Sequence, residues 1–149
     1  YILTFTGFIF SCLFAISLAT YKGTIFDKNI INSLLKAPLL LTYNSRFDDE
    51  GEETLRSLLL SKLLKPFSSE LCFLMQGKIK REVKESFEDK INNIYFEEKV
   101  KVINKLSESE ESNQFVIVLS LGDITVKELK SIYKNLILKD KTIIGWILI

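Results

Sequence analysis

Gly77-Lys78 is the pair whose residue types and place in the chain come nearest to phosphate chemistry. It follows the apolar run Glu70–Gln76 and precedes a helical pattern, the strand–glycine–helix order of a phosphate-binding loop. Such a loop needs several glycines so that backbone N–H groups can wrap a phosphate. It then needs Lys and a Ser or Thr hydroxyl for the phosphates and Mg²⁺. The stretch LMQGKIKREV has one glycine, no loop length, and Ile79 where the hydroxyl belongs. The lone pair Gly77-Lys78 is weak evidence for nucleotide binding, and no cofactor is expected. Lys78, Lys80 and Arg81 run against the helix dipole. They could meet a phosphate or an anionic lipid headgroup, but the bland reading is a solvated patch.

Other chemistries find fewer residues. The chain has no histidine, which removes imidazole catalysis and His-based metal sites. Cys12 and Cys72 have no metal or disulfide spacing and read as buried small hydrophobes. The strand candidate Val100–Ile103 ends in Asn104, where a metal-binding carboxylate would sit. Opposed charges around Glu85–Asp89, Lys84 and Lys90 read as a solvated helix face. No catalytic residue and no metal ligand can be named, and the chain is not expected to be an enzyme. A formal net charge of +1 also gives no basic patch for nucleic acid.

Everything hangs from Tyr1–Tyr21, which carries no charged residue; the first charge is Lys22. A helix needs about 20 apolar residues to cross a bilayer, and this run supplies them. The expectation is a transmembrane helix over 1–21. The competing readings are a signal peptide, with Ser17-Leu18-Ala19 as a small-x-small cleavage site, and a buried core helix. Lys22, Lys28, Lys36 and Arg46 trail the run, which favours a cytoplasmic side for the rest of the chain. Because the chain begins at Tyr1 without Met and ends inside an apolar strand, it is expected to be part of something longer.

The remainder divides into a juxtamembrane stretch, 22–51, and an α/β domain, 52–149. In the first, Asp27 can cap a short helix with Ile30, Ile31, Leu34 and Leu35 on one face. Pro38 stops it, Leu39–Leu41 reads as a short buried strand, and Asn44–Glu53 as a polar linker. In the second, Glu52–Lys65 is amphipathic, Glu70–Gln76 is a buried strand ended by Gly77, and Lys78–Lys99 is helical by period. Val100–Ile103 is a strand candidate and Ser107–Asn113 a loop. Phe115–Leu121 is a strand and Gly122-Asp123 a turn. Thr125 to Glu128 is a capping box opening a helix with Leu129, Ile132, Tyr133, Leu136 and Ile137 inward. Thr142–Ile149 reads as a fully buried strand. Strand, helix, strand with both strands apolar is a βαβ unit, so the fold class is α/β with a parallel sheet.

Three pieces in order resemble the bacterial polysaccharide co-polymerases (chain-length determinants) that carry a tyrosine kinase-type P-loop domain. The stretch IFDKNIINSLLKAPLLLTY is similar to the segment that comes after the family's second membrane helix, with Leu34-Leu35, Pro38 and Leu40 matching. It departs with Lys36 where Gly is common and Phe26 where a basic residue is common. Glu53 and Arg56 match the first half of the family's Glu-x-x-Arg-x-x-Arg subunit-contact helix, and Leu59 replaces the second Arg. The final FVIVLSLGDITVKELKSIYKNL with KTIIGWILI is similar to the late strand, Thr-capped helix and glycine-bearing strand, with Gly145 in place. The three Walker-type motifs and the tyrosine cluster are missing from this sequence.

The resemblance implies a P-loop-like domain that keeps the scaffold without the nucleotide site. It implies a homo-oligomer in the bacterial inner membrane, with its C-terminal domain cytoplasmic. Its partners would be the lipid bilayer and a polysaccharide polymerase or export protein. The alternatives are a P-loop ATPase or tyrosine autokinase of the same pathway, and an unrelated membrane-anchored α/β domain.

Overall fold

A computed structural model describes residues 2–43, 53, 54, 57, 71–94, 100–108 and 112–149. The elements in chain order are α1 (Ile2–Tyr21), α2 (Lys28–Leu35), β1 (Leu39–Thr42), β2 (Leu71–Gln76), α3 (Arg81–Ile94), β3 (Val100–Ile103), β4 (Gln114–Leu119), α4 (Val126–Leu138) and β5 (Thr142–Leu148). A 3-10 turn at Leu106–Glu108 lies inside the loop expected between β3 and β4.

The five strands form one sheet in the order β1-β5-β4-β2-β3, and every pair is parallel. The α/β class with a parallel sheet is thus present. Apolar side chains alternate cleanly along the central strands. Cys72, Leu74, Phe115, Ile117 and Leu119 join one core with α2 and α4. Leu71, Phe73, Met75, Val116 and Val118 join the other, with Phe87 and Ile91 of α3. Both faces are buried, which is why these strands read as continuous apolar runs. From β2 the chain steps through α3 to β3 on one side. From β4 it steps through α4 to β5 on the other. Opposite directions with helices on opposite faces give both crossovers the same hand, as the strong preference for one crossover hand requires.

Local signals explain most element ends. The Asp27 side chain accepts from the Asn29 N–H at 2.9 Å, so α2 begins where expected. It ends at Lys36, which sits in the left-handed region at φ 50°, before Pro38 could act. Ile31 and Leu35 are buried, whereas Ile30 is exposed, so the inward face of α2 is narrower than expected. β1 is an edge strand and only half-buried, because it has one neighbour, β5. β5 is buried only in its second half and starts at an exposed Thr142. Ile137 is half exposed, so α4 turns Val126, Leu129, Ile132, Tyr133 and Leu136 toward the core and leaves Ile137 outside it.

α3 starts three residues later than its apolar period suggests. The chain needs Gly77 at φ 92° and the short Lys78–Lys80 connector to leave β2 before a helix can form. Its charges pair at i,i+4 spacing as Arg81–Glu85 at 2.6 Å and Lys84–Glu88 at 3.6 Å. Lys90 instead lies 5.5 Å from the centroid of the Tyr43 ring. Tyr43 also packs edge-on to Phe87, with centroids 5.4 Å apart, and its hydroxyl is 3.0 Å from Ser86 Oγ.

The charge-free run Tyr1–Tyr21, expected to span a membrane, does form a continuous helix from Ile2. Its side chains are described from Phe5 onward, and among the described residues no helix is long and apolar enough to cross a membrane. Crossing is therefore not shown, although the helix is. Nor is it a core helix: Phe8, Phe10, Phe14 and Ile16 are 68%, 73%, 69% and 63% exposed. At about 100° per residue they point to different sides of the helix. Cys12 is exposed there too, correcting the expectation that both cysteines are buried; Cys72 is, with its Sγ 3.0 Å from Ser112 Oγ.

Candidate functional site

In an open parallel sheet the ligand place is the crevice at the carboxyl ends of two neighbouring strands whose connections leave in opposite directions. Here those strands are β2 and β4. The connector after β2 is Gly77–Lys80, and the loop after β4 is Ser120–Thr125. Gly77 and Lys78, the pair singled out in the sequence, stand at this switch point. The two loops touch there: a Cβ on Gly77 would lie 3.2 Å from the Asp123 carbonyl oxygen.

On the β4–α4 side the crevice is covered by the chain's own backbone. After α1 the segment Gly23–Ile25 lies across the β4–α4 loop. The Ile25 N–H donates to the Ile124 carbonyl at 2.9 Å, the Gly122 N–H to Ile25 at 2.8 Å, and the Val126 N–H to Gly23 at 2.9 Å. Thr24 and Thr125 form an antiparallel bridge. Ile25 and Ile124 are buried, and the Phe26 ring covers Gly122, which takes φ 83° with room for a Cβ only 3.2 Å from Phe26 Cε1. We call Gly23–Ile25 the strap.

The free N–H groups at a helix start are what an anionic ligand would use. In α4 two of them are already engaged. The Val126 N–H goes to the strap, and the Glu128 N–H donates to Thr125 Oγ1 at 3.2 Å. The Glu128 carboxylate accepts from the Thr125 N–H and from the Thr125 hydroxyl, both at 2.8 Å. This is the capping box expected from the sequence. The Thr125 N–H, then its hydroxyl, hold the Glu128 carboxyl below its ordinary pKa; partial burial opposes them, and Lys78 adds a smaller pull in their direction. A phosphate placed here would meet a carboxylate.

Two openings remain beside the strap. One, of about 230 Å³, is lined by Gln76, Gly77, Ile124, Glu128, Ser131 and Ile132. The other, of about 680 Å³, runs between the last turns of α1 and the switch-point loops. Lys78 lines the larger one. Gly77–Lys80 is four residues long, half the length of a phosphate-binding loop. Among the described residues no group of three or more His, Cys, Asp or Glu could hold a metal ion.

The other sequence candidates lie elsewhere. Glu53 is helical and exposed, and Arg56 with most of the Glu52–Lys65 stretch falls outside the described residues. Sequence reasoning missed the strap, because three residues after a charge-free helix carry no local sign of pairing about a hundred residues on. Only Gly23, at φ 67°, hints that the chain must turn there. Set against known proteins, the chain matches no family, no curated protein and no solved structure.

Proposed function

We propose that this chain is a non-catalytic, membrane-tethered α/β module that assists surface polysaccharide assembly or export. It acts through contacts with further copies of itself or with a polymerase or export partner. The observation that carries the non-catalytic part is the strap. With Glu128 it holds the N–H groups of Gly122, Thr125 and Val126 on the β4–α4 side of the switch point, where an anion would otherwise approach. The tether is supported by a charge-free helix whose described apolar side chains are exposed on all sides, a surface that water alone would leave unburied. Lys22, Lys28, Lys36 and Arg46 on its C-terminal side favour a cytoplasmic place for the sheet, and the bacterial inner membrane rests on the family resemblance alone. The polysaccharide assignment rests on the order of the Leu34–Leu40, Glu53–Arg56 and Phe115–Ile149 pieces alone. Glu53 is exposed and open to a subunit contact.

A nucleotide enzyme is the second reading, and one observation favours it: Gly77-Lys78 does lie at the switch point. The four-residue connector and the strap across the β4–α4 loop weigh against it. Two experiments test the proposal. Removing the protein from its host should change the length distribution of the surface polysaccharide on a gel; an unchanged distribution would overturn the polysaccharide role. Membranes carrying the chain should retain it through carbonate extraction, and Leu13→Arg should release a large part. A charge at mid-span costs about 2.5–3.5 kcal/mol in insertion. Wild-type chain in the carbonate supernatant would overturn the tether.

A further inference from the structure

The cavity of about 680 Å³ has two unlike walls. Phe14, Ala15, Leu18 and Ala19 of α1 make one of them apolar. Lys22, Lys78, Asp123 and Glu128, with Thr24 and Thr125, make the other polar. Its volume is in the range of small-molecule sites, about 300–1,000 Å³. Glu128 is engaged with Thr125. Among the described residues the side chains of Lys22, Lys78 and Asp123 form no hydrogen bond or ion pair within 4 Å, although Lys78 is near enough to pull on Glu128, so two cations and one carboxylate open into one space without a close partner.

We propose that this cavity holds the headgroup of a phospholipid, with its phosphodiester between Lys22 and Lys78 and its ammonium against Asp123. The inference rests on the membrane reading of α1. On that reading Lys22, directly after the apolar run, lies at headgroup depth, and the apolar wall formed by Phe14 to Ala19 leads toward the acyl chains. The charge balance selects the class. The wall carries two positive and two negative side chains, so a bare phosphate would be set beside two carboxylates. A headgroup with both a phosphodiester and an N–H-bearing ammonium, as in phosphatidylethanolamine, matches both signs. Charge-assisted hydrogen bonds would hold it.

The test uses the whole chain in nanodiscs of phosphatidylcholine carrying one-fifth phosphatidylethanolamine or phosphatidylglycerol, with native mass spectrometry of the retained lipid. One phosphatidylethanolamine per chain should be retained in preference to phosphatidylcholine. Asp123→Asn should lower that preference roughly tenfold, the effect of one lost hydrogen bond to a charged group, and Lys78→Ala should lower retention of both lipids by a similar factor, since both carry the phosphodiester; both positions are exposed. Preference for phosphatidylglycerol, or variants that retain lipid as the wild type does, would overturn the proposal. So would displacement of the lipid by millimolar inorganic phosphate, since the site would then read a free anion. Carbonate extraction of the same preparation separates the two failures. A chain that stays in the membrane without selecting a headgroup overturns only this site, whereas a chain that comes off overturns the tether with it.

Discussion

Thr125 and Glu128 satisfy each other at the start of α4 and, in doing so, fill the place of an incoming anion. Thr125→Ala should lower stability by about 1 kcal/mol, the usual loss of an N-cap, measured by urea unfolding in detergent solution. Glu128 has its folded pKa below its ordinary value near 4.5, so its contribution is complete above that value and is lost as pH falls through the folded pKa. The gap between wild type and Glu128→Gln should therefore be present at neutral pH and close in acid. It should be small, because the carboxylate is exposed. A gap that stays constant into acid would contradict this origin. Lys36 offers the opposite sign. It occupies φ 50°, where a Cβ is strained, so Lys36→Gly should raise stability by about 0.5–1 kcal/mol in the same assay. Gly145 is the converse case: a Cβ there would run into the Leu40 side chain, at the irregularity where β1 joins β5. Gly145→Ala should cost about 1–3 kcal/mol by overpacking.

Among the elements, α2 is held by a bond that crosses most of the chain. The indole N–H of Trp146, buried in β5, donates to Asn32 Oδ1 at 2.7 Å. Asn32→Ala would leave a buried donor unpaired, a cost of about 1–3 kcal/mol. Trp146 is the only tryptophan, so its emission should shift to the red as water reaches the indole. An unshifted spectrum with unchanged stability would mean that α2 is held by packing alone. What could be read from the sequence here was local. Asp27, Gly77, Thr125 and the apolar runs of β2 and β4 carry their element boundaries in their own chemistry. The exposure of Ile30 and Ile137 could not be read, because the apolar period says which face is apolar and not how wide a neighbour covers it. The strap was hidden for a stronger reason: its pairing joins residues 23–25 to 122–126, and no window of sequence contains both.

At the scale of the molecule, the parallel α/β class follows from strands apolar on both faces, whereas the order β1-β5-β4-β2-β3 is set by long-range pairing. That order puts Gly77-Lys78 at the switch point, where the sequence alone had only a weak motif. The segment that joins α1 to the domain is also the one that pairs with the β4–α4 loop. On the proposed reading, the tether and the absence of a nucleotide place share this one segment. Calorimetric titration of the full chain in nanodiscs with Mg-ATP and Mg-ADP tests that claim most directly. With the strap seated, no binding heat is expected at micromolar nucleotide from a sample whose buried Trp146 emission shows it to be folded. Micromolar affinity would mean that the strap leaves and Gly77-Lys78 belongs to a working phosphate site, which would contradict a non-catalytic module.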